Sequence, residues 1–253
     1  MNIYDILGKV FTMMYDGQDL TDYFLVQEVR GRSVYSKEMG KRTIAGVDGG
    51  TVTTENLPAR TLEVYAVVFS DGTETDLRHR IEYLNFLLHR DYDVPITFSD
   101  EPDRTYYGRY EFASEGDEKG GFHKVTLNFY CEDPLKHGPE VTVDVATEST
   151  PVKNTGLAAT NPAIRCVFST SATEYELQLL NGSTVVKFLK VRYGFNTGDT
   201  LVIDCHEREV TLNGQDIMPA LLMQSDWIQL KPQVNTYLKA TQPSTIVFTE
   251  KFL

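Results

Sequence analysis

From Ala163 to Phe248 the chain repeats one pattern: a short apolar run, a turn signal, another apolar run. The runs are Ala163 to Phe168, Tyr175 to Leu180, Lys187 to Val191, Leu201 to Cys205, Glu209 to Leu212, Trp227 to Leu230, Thr236 to Ala240 and Thr245 to Phe248. Asn181-Gly182, Thr197-Gly198 and Asn213-Gly214 fall between them, and a glycine there supplies the positive φ of a tight turn. Many short strands with turns between them build a sandwich or a barrel. One short helix is expected around Pro219 to Met223.

The first half reads as β with one helix. Phe11 to Tyr15, the turn Asp16-Gly17, and Tyr23 to Arg30 read as a hairpin. Arg60 to Phe69 is a strand rich in β-branched and aromatic residues, with Leu62, Val64, Ala66 and Val68 on one face. Ser70 to Thr73 turns the chain into a helix over 74–89. There Leu77, Ile81, Leu84 and Leu88 lie at i, i+4, i+7 and i+11 and make one apolar stripe. Thr73 and Asp76 resemble a capping box. Ile96 to Ser99, Tyr106 to Phe112 and Lys124 to Cys131 supply further strands, and an acidic loop, Ser114 to Gly121, separates the last two.

Two segments stand apart. Residues 36–58 hold four glycines and few large apolar groups, and read as a long loop. Loops of that length are usually functional or disordered. The segment is therefore either a floppy insertion or an arm that gains order against a partner. Its candidate subunit-interface residues are Arg42, Ile44, Val47, Asp48 and Val52. The run Cys131 to Pro139 holds two prolines and a glycine, and proline punctuates rather than pairs. It divides the chain into domains 1–135 and 140–253.

Charge narrows the function. Lys plus Arg number 24 and Asp plus Glu 36, a net −12, with most of the acid in residues 1–139. Affinity for phosphate backbones needs clustered Lys and Arg, so no specific nucleic-acid binding is expected. The longest uninterrupted apolar stretch is Val64 to Phe69, far short of a membrane span. The start, MNIYDILGKV, carries Asp5 and does not read as a signal peptide. Cys131, Cys166 and Cys205 are odd in number and widely spaced, so three buried free thiols are expected rather than a disulfide frame or a zinc site.

No catalytic residue, cofactor or metal site is expected. The chain holds no GxSxG, HExxH, P-loop or GxGxxG after a strand. Cys205-His206-Glu207 are neighbours on a strand and point to alternate faces, so they do not converge on one ion. Asp100-Glu101 and Asp117-Glu118 read as solvated surface rather than as a glycosidase pair across a cleft. Trp227 reads as a core aromatic rather than a sugar platform.

Several local patterns, in order, resemble the distal tail proteins (Dit) of siphophages that infect Gram-positive bacteria, and in particular the compact two-domain members from Bacillus phages. They are Tyr23 to Arg32, Ala45-Gly-Val-Asp-Gly49, the strand and helix above, Ile96 to Pro102 with Tyr107-Gly-Arg, and Val125 to Pro134. In the second half they are Asn154-Thr-Gly156, Asn161 to Ile164, Gly198 to Asp204, Arg208 to Gly214 and Trp227 to Thr236. Gln233 stands where the family often has glycine, so a different turn type is expected there.

The resemblance implies a mainly β (α+β) structural protein of the virion tail tip, with no enzymatic activity. It implies a ring-forming, barrel-like or split-sheet N-terminal domain with one helix and a long arm, and a galectin-like β-sandwich at the C-terminus. It implies a homo-hexameric ring that joins the tail tube to hub, fibre and receptor-binding proteins around a channel for DNA. The alternative is a carbohydrate-binding sandwich that contacts the host wall. The galectin signature of His, Asn, Arg and Trp at fixed spacing is not visible.

Overall fold

The computed structural model describes residues 12–70 and 74–253, so Phe11 and the expected turn and cap at 71–73 lie outside the described residues. The chain divides into two units, Met1–Lys136 and His137–Phe252. The first begins on a tight hairpin. β1 (Met13–Tyr15) pairs with β2 (Gln18–Asp19) across Asp16 (φ 52°) and Gly17 (φ 73°). Two consecutive positive φ angles are what a two-residue hairpin turn requires. The expected partner, β3 (Phe24–Arg30), does not pair with β1. The chain turns at Leu20, whose carbonyl accepts the Tyr23 N–H at 3.0 Å, and β3 pairs with β6 (Arg60–Phe69) instead.

The spine of this unit is β6. Its alternation buries Arg60, Leu62, Val64, Ala66 and Val68 and turns the residues between them outward. It pairs on its other side with β9 (Phe122–Cys131) over ten consecutive residues. β9 pairs with β8 (Thr105–Lys119), which also pairs with β7 (Val94–Phe98), and β7 with β1. One antiparallel sheet in the order β2-β1-β7-β8-β9-β6-β3 thus curls over a single core. The acidic segment 114–121 is not a loop. Strand β8 carries it out to Lys119, and only Gly120 (φ 47°) and Gly121 (φ 90°) turn. Cross-strand pairing with β9 outweighs the poor strand propensity of Asp and Glu.

The helix α1 (Glu74–Leu88) lays its expected stripe into this core. Leu77, Leu84 and Leu88 are buried, Leu87 joins them, and Ile81 packs at the margin. Each buried leucine contributes on the order of 2 kcal/mol. The Tyr15 hydroxyl fixes the helix end, donating to the Leu88 carbonyl at 3.0 Å and accepting the Tyr110 N–H at 3.1 Å.

In the second unit two sheets enclose one core. The larger has the order β17-β16-β15-β12-β19-β10 and the smaller β11-β18-β13-β14. Its strands are β10 (Lys136–Val145), β11 (Thr150–Lys153), β12 (Ala163–Val167), β13 (Ala172–Asn181), β14 (Thr184–Phe195), β15 (Thr200–Asp204), β16 (Glu209–Leu212), β17 (Gln215–Asp216), β18 (Asn235–Ala240) and β19 (Ser244–Phe252). Phe168 stacks on Phe195 at 4.2 Å, and the buried Tyr175 hydroxyl hydrogen-bonds Ser244 at 2.8 Å.

Several expectations fail here. Strand β10 starts inside the segment read as punctuation, because Pro139 sits in it without stopping it. The expected helix at 219–223 is one 3-10 turn, Met218–Ala220. Trp227 to Leu230 runs extended without a ladder, apart from an isolated bridge between Leu230 and Thr160. Trp227 packs half-buried against the core. Gln233 takes φ 60°, the backbone glycine favours, and its side-chain amide donates to the Thr155 carbonyl at 2.7 Å. All three cysteines are buried and unbridged. Burial pushes the Cys131 thiol up to about 12 and the Cys205 thiol up to about 11.

Candidate subunit-interface arm

The segment 36–58 has structure of its own. β4 (Glu38–Arg42) and β5 (Thr51–Asn56) form a two-stranded sheet that pairs with no other described strand. At its tip the Val47 N–H donates to the Ile44 carbonyl at 3.2 Å, with Gly46 at φ 81°. A positive φ at the third position of such a turn is why glycine stands there. Two more features hold the hairpin. Gly40 lies flat on β5, where a Cβ would stand 2.3 Å from Thr54 Oγ1, and Lys37 pairs with Glu55 at the neck.

All five expected interface residues fall in the outer half of this one hairpin. Arg42 ends β4 opposite Thr51, Ile44 and Val47 frame the tip turn, Asp48 follows, and Val52 faces Lys41. All are exposed, Val47 to 61%, and Met39 adds another exposed apolar side chain. Several exposed apolar side chains thus stand together on a polar hairpin.

What the sequence reading missed is the root. Arg60 is 1% exposed. Its Nε donates to the Pro134 carbonyl and its Nη1 to the Gly31 carbonyl, each at 2.7 Å. Its guanidinium stacks 4.4 Å from the Tyr35 ring centre, and the Tyr35 hydroxyl donates to the Pro58 carbonyl. One buried cation therefore ties both ends of the arm to the sheet. The signal was present. The period-two face of Leu62, Val64, Ala66 and Val68, extended back by two, lands on Arg60.

Gly31 makes that root possible. It sits at φ 89°, and a Cβ there would lie 2.0 Å from the Thr61 carbonyl oxygen. Gly31→Ala is expected to destabilise the first unit by about 3 kcal/mol, from left-handed backbone plus overpacking. A chemical-denaturation midpoint equal to that of the parent would refute the close approach.

A polar cluster braces the neighbouring turn. Arg32 forks onto Asp100 at 2.8 and 2.9 Å. Glu101 accepts from Lys136 and from the Tyr106 hydroxyl, both at 2.8 Å. The Arg32 hydrogen bond holds the Asp100 carboxyl below its usual range. Partial burial works to raise Glu101, but Lys136 and Tyr106 outweigh it and hold that carboxyl low too. A depressed carboxylate contributes stability that is complete above its unfolded pKa, about 4, and is lost as pH falls through the lower folded value. The melting temperature should therefore fall as pH drops below about 4. Asp100→Asn, already lacking the pair, should show a shallower acid slope in a melting series.

Residues 16–131 match the phage tail protein RIFT-related domain, and residues 155–252 match the siphovirus-type tail component, C-terminal domain. The chain is 90% identical over 253 residues to the distal tail protein of Bacillus phage SPP1, covering all of both chains. The chain belongs to the distal tail protein family.

The crystal structure of the SPP1 distal tail protein, described as a paradigm of hub adsorption apparatus in phages infecting Gram-positive bacteria, superposes with a TM-score of 0.92. It shares 83% identity over 97% of this chain and all of that one. A chain of the phage P2 baseplate in its activated conformation shares the fold alone, with a TM-score of 0.55 and 9% identity over 96% of this chain and 97% of that one. As a distal tail protein this chain is a structural component of the virion tail tip and not an enzyme. No helix among the described residues is long and apolar enough to cross a membrane.

Proposed function

We propose that copies of this chain close head to tail into a six-membered ring, with each arm reaching the next copy. The ring is the hub of the tail tip. It joins the tail tube to the fibre and receptor-binding proteins and leaves a central channel through which DNA passes. The arm is the observation that carries this reading. It is a preformed hairpin with uncovered apolar residues, tied down at its root by a buried arginine. Contacts of this head-to-tail kind close into a ring when the rotation allows it. The family membership supports the assignment to the tail tip.

Light scattering across a concentration series tests it. A mass of about six times the 28.6 kDa of one chain is expected. A strictly monomeric chain at every concentration would overturn the ring.

The second unit, read as a galectin-like sandwich, is a carrier for partner proteins. It does not favour the carbohydrate-binding alternative. The outer face of its larger sheet holds a groove of about 580 Å³ lined by Asp144, Arg165, Val167, Pro243, Thr245 and Val247, among others. No aromatic ring lines it, and Trp227 is spent on the core.

A further inference from the structure

The face of α1 turned away from its buried stripe carries Arg78, His79 and Glu82, and beside them two large exposed rings. Tyr83 is 51% exposed and Phe86 67%. Tyr83 stacks on Tyr23 with ring centres 5.7 Å apart and planes 19° apart, and Phe86 follows at 5.8 Å from Tyr83. Tyr23 itself packs against the core, so the row is anchored from below. Three rings in one preorganised line form a ledge, whereas scattered exposed aromatics need no explanation. Acid flanks it. Asp22 precedes Tyr23, and Glu82 lies one turn before Phe86 on the same helix face. The nearby Arg80 is already paired with Asp76 at 2.9 Å.

The arm has the complementary chemistry. Its tip offers Ile44 and Val47, and the strand leading to the tip ends in Lys41 and Arg42. Aliphatic side chains and cations are both favourable partners for ring faces. The arm's residues are exposed, so its own ledge is not what covers it.

Position explains why. The arm root lies at the Arg60 end of β6, where Arg60 holds Gly31. The ledge lies at the other end, because Tyr23 leads into Phe24, which pairs with Val68. Those ends are roughly 26 Å apart along the strand, and the hairpin is about 20 Å long. A projecting group and its complement at opposite ends of one unit make a head-to-tail contact between copies.

We propose that the ledge of Tyr23, Tyr83 and Phe86 is the socket in which the arm of the next copy seats its apolar tip, with Asp22 and Glu82 facing Lys41 and Arg42. The proposal rests on the reading of the arm as the ring-forming element and names the surface that receives it.

Two variants of the full chain test it by light scattering. One replaces residues 38–54 by Asn-Gly, and the other is Tyr83→Ser/Phe86→Ser. Each alone is expected to run as a monomer. Mixed one to one, they should form a species of two chains and no larger. The armless copy offers an intact ledge, the ledge variant an intact arm, and no complementary pair then remains. A ledge variant that still forms the ring while the armless chain does not would overturn the socket and leave the arm reading standing. Two monomers that fail to combine would overturn the socket as well. An armless chain that still forms the ring would overturn both.

A second readout does not depend on the ledge variant folding. Val47→Cys/Asn85→Cys, which leaves all three rings in place, should give a ladder of covalent multimers on a non-reducing gel when oxidised in the assembled state. The native thiols are buried and stay out of it. Monomers alone on that gel would overturn the contact.

Discussion

Replacing residues 38–54 by an Asn-Gly turn is expected to convert the proposed ring to monomers and to leave the first unit folded. The two halves of that result have different causes. Folding survives because the arm contributes nothing to the core: none of its residues lies in the buried cluster of β1, β3, β6, β7, β8, β9 and α1. The cut is also short to close. Glu38 and Asn56 are cross-strand partners, and Lys37 already reaches Glu55, so two residues suited to a tight turn rejoin the ends. Surface changes of this kind shift stability by about 0.5 kcal/mol or less. Assembly is expected to fail because the arm carries the uncovered apolar side chains. The measurement is a mass about six-fold lower by light scattering, with an unchanged melting temperature when both proteins are compared as monomers.

The second large effect lies at the root. Arg60→Met is expected to destabilise the first unit by about 3 kcal/mol, since each charge-assisted hydrogen bond contributes about 1.5–3 kcal/mol and the carbonyls are left bare. Methionine fills the space of the side-chain stem but offers nothing to the Gly31 and Pro134 carbonyls, and it abandons the stack on Tyr35. For a unit of this size the melting temperature should drop by roughly 10 °C. Arg60→Lys keeps the charge and still loses most of the effect, because a lysine cannot span two carbonyls while lying flat on a ring. A lysine variant as stable as the parent would show that charge alone matters at this position.

The fold was legible wherever one face of an element is buried. The Leu77, Ile81, Leu84 and Leu88 stripe and the alternation of β6 both follow from that requirement, and both are found. Legibility failed where pairing, not burial, makes the structure. β4, β5 and the outer half of β8 are exposed on both faces, so no apolar period marks them, and backbone hydrogen bonds, glycine turns and a few surface ion pairs hold them. The Trp227 run failed in the opposite sense. Its apolar pattern came from burial against the core, without a neighbouring strand to pair with. The candidate interface was legible as a place, through the glycines of residues 36–58. Its anchor was not, because a buried Arg60 breaks the rule that charged residues face water.

The three unbridged cysteines bear on the life of the particle between hosts. A tail tip is built among reduced thiols and then waits outdoors, in air and peroxide. Oxidants attack the thiolate, and they need to reach it. Here the sulfurs sit inside the two cores, and at Cys131 and Cys205 burial holds the proton on well above neutral pH. The three thiols are therefore poor targets for such oxidants, whereas Met39 and Met223 stand exposed to them.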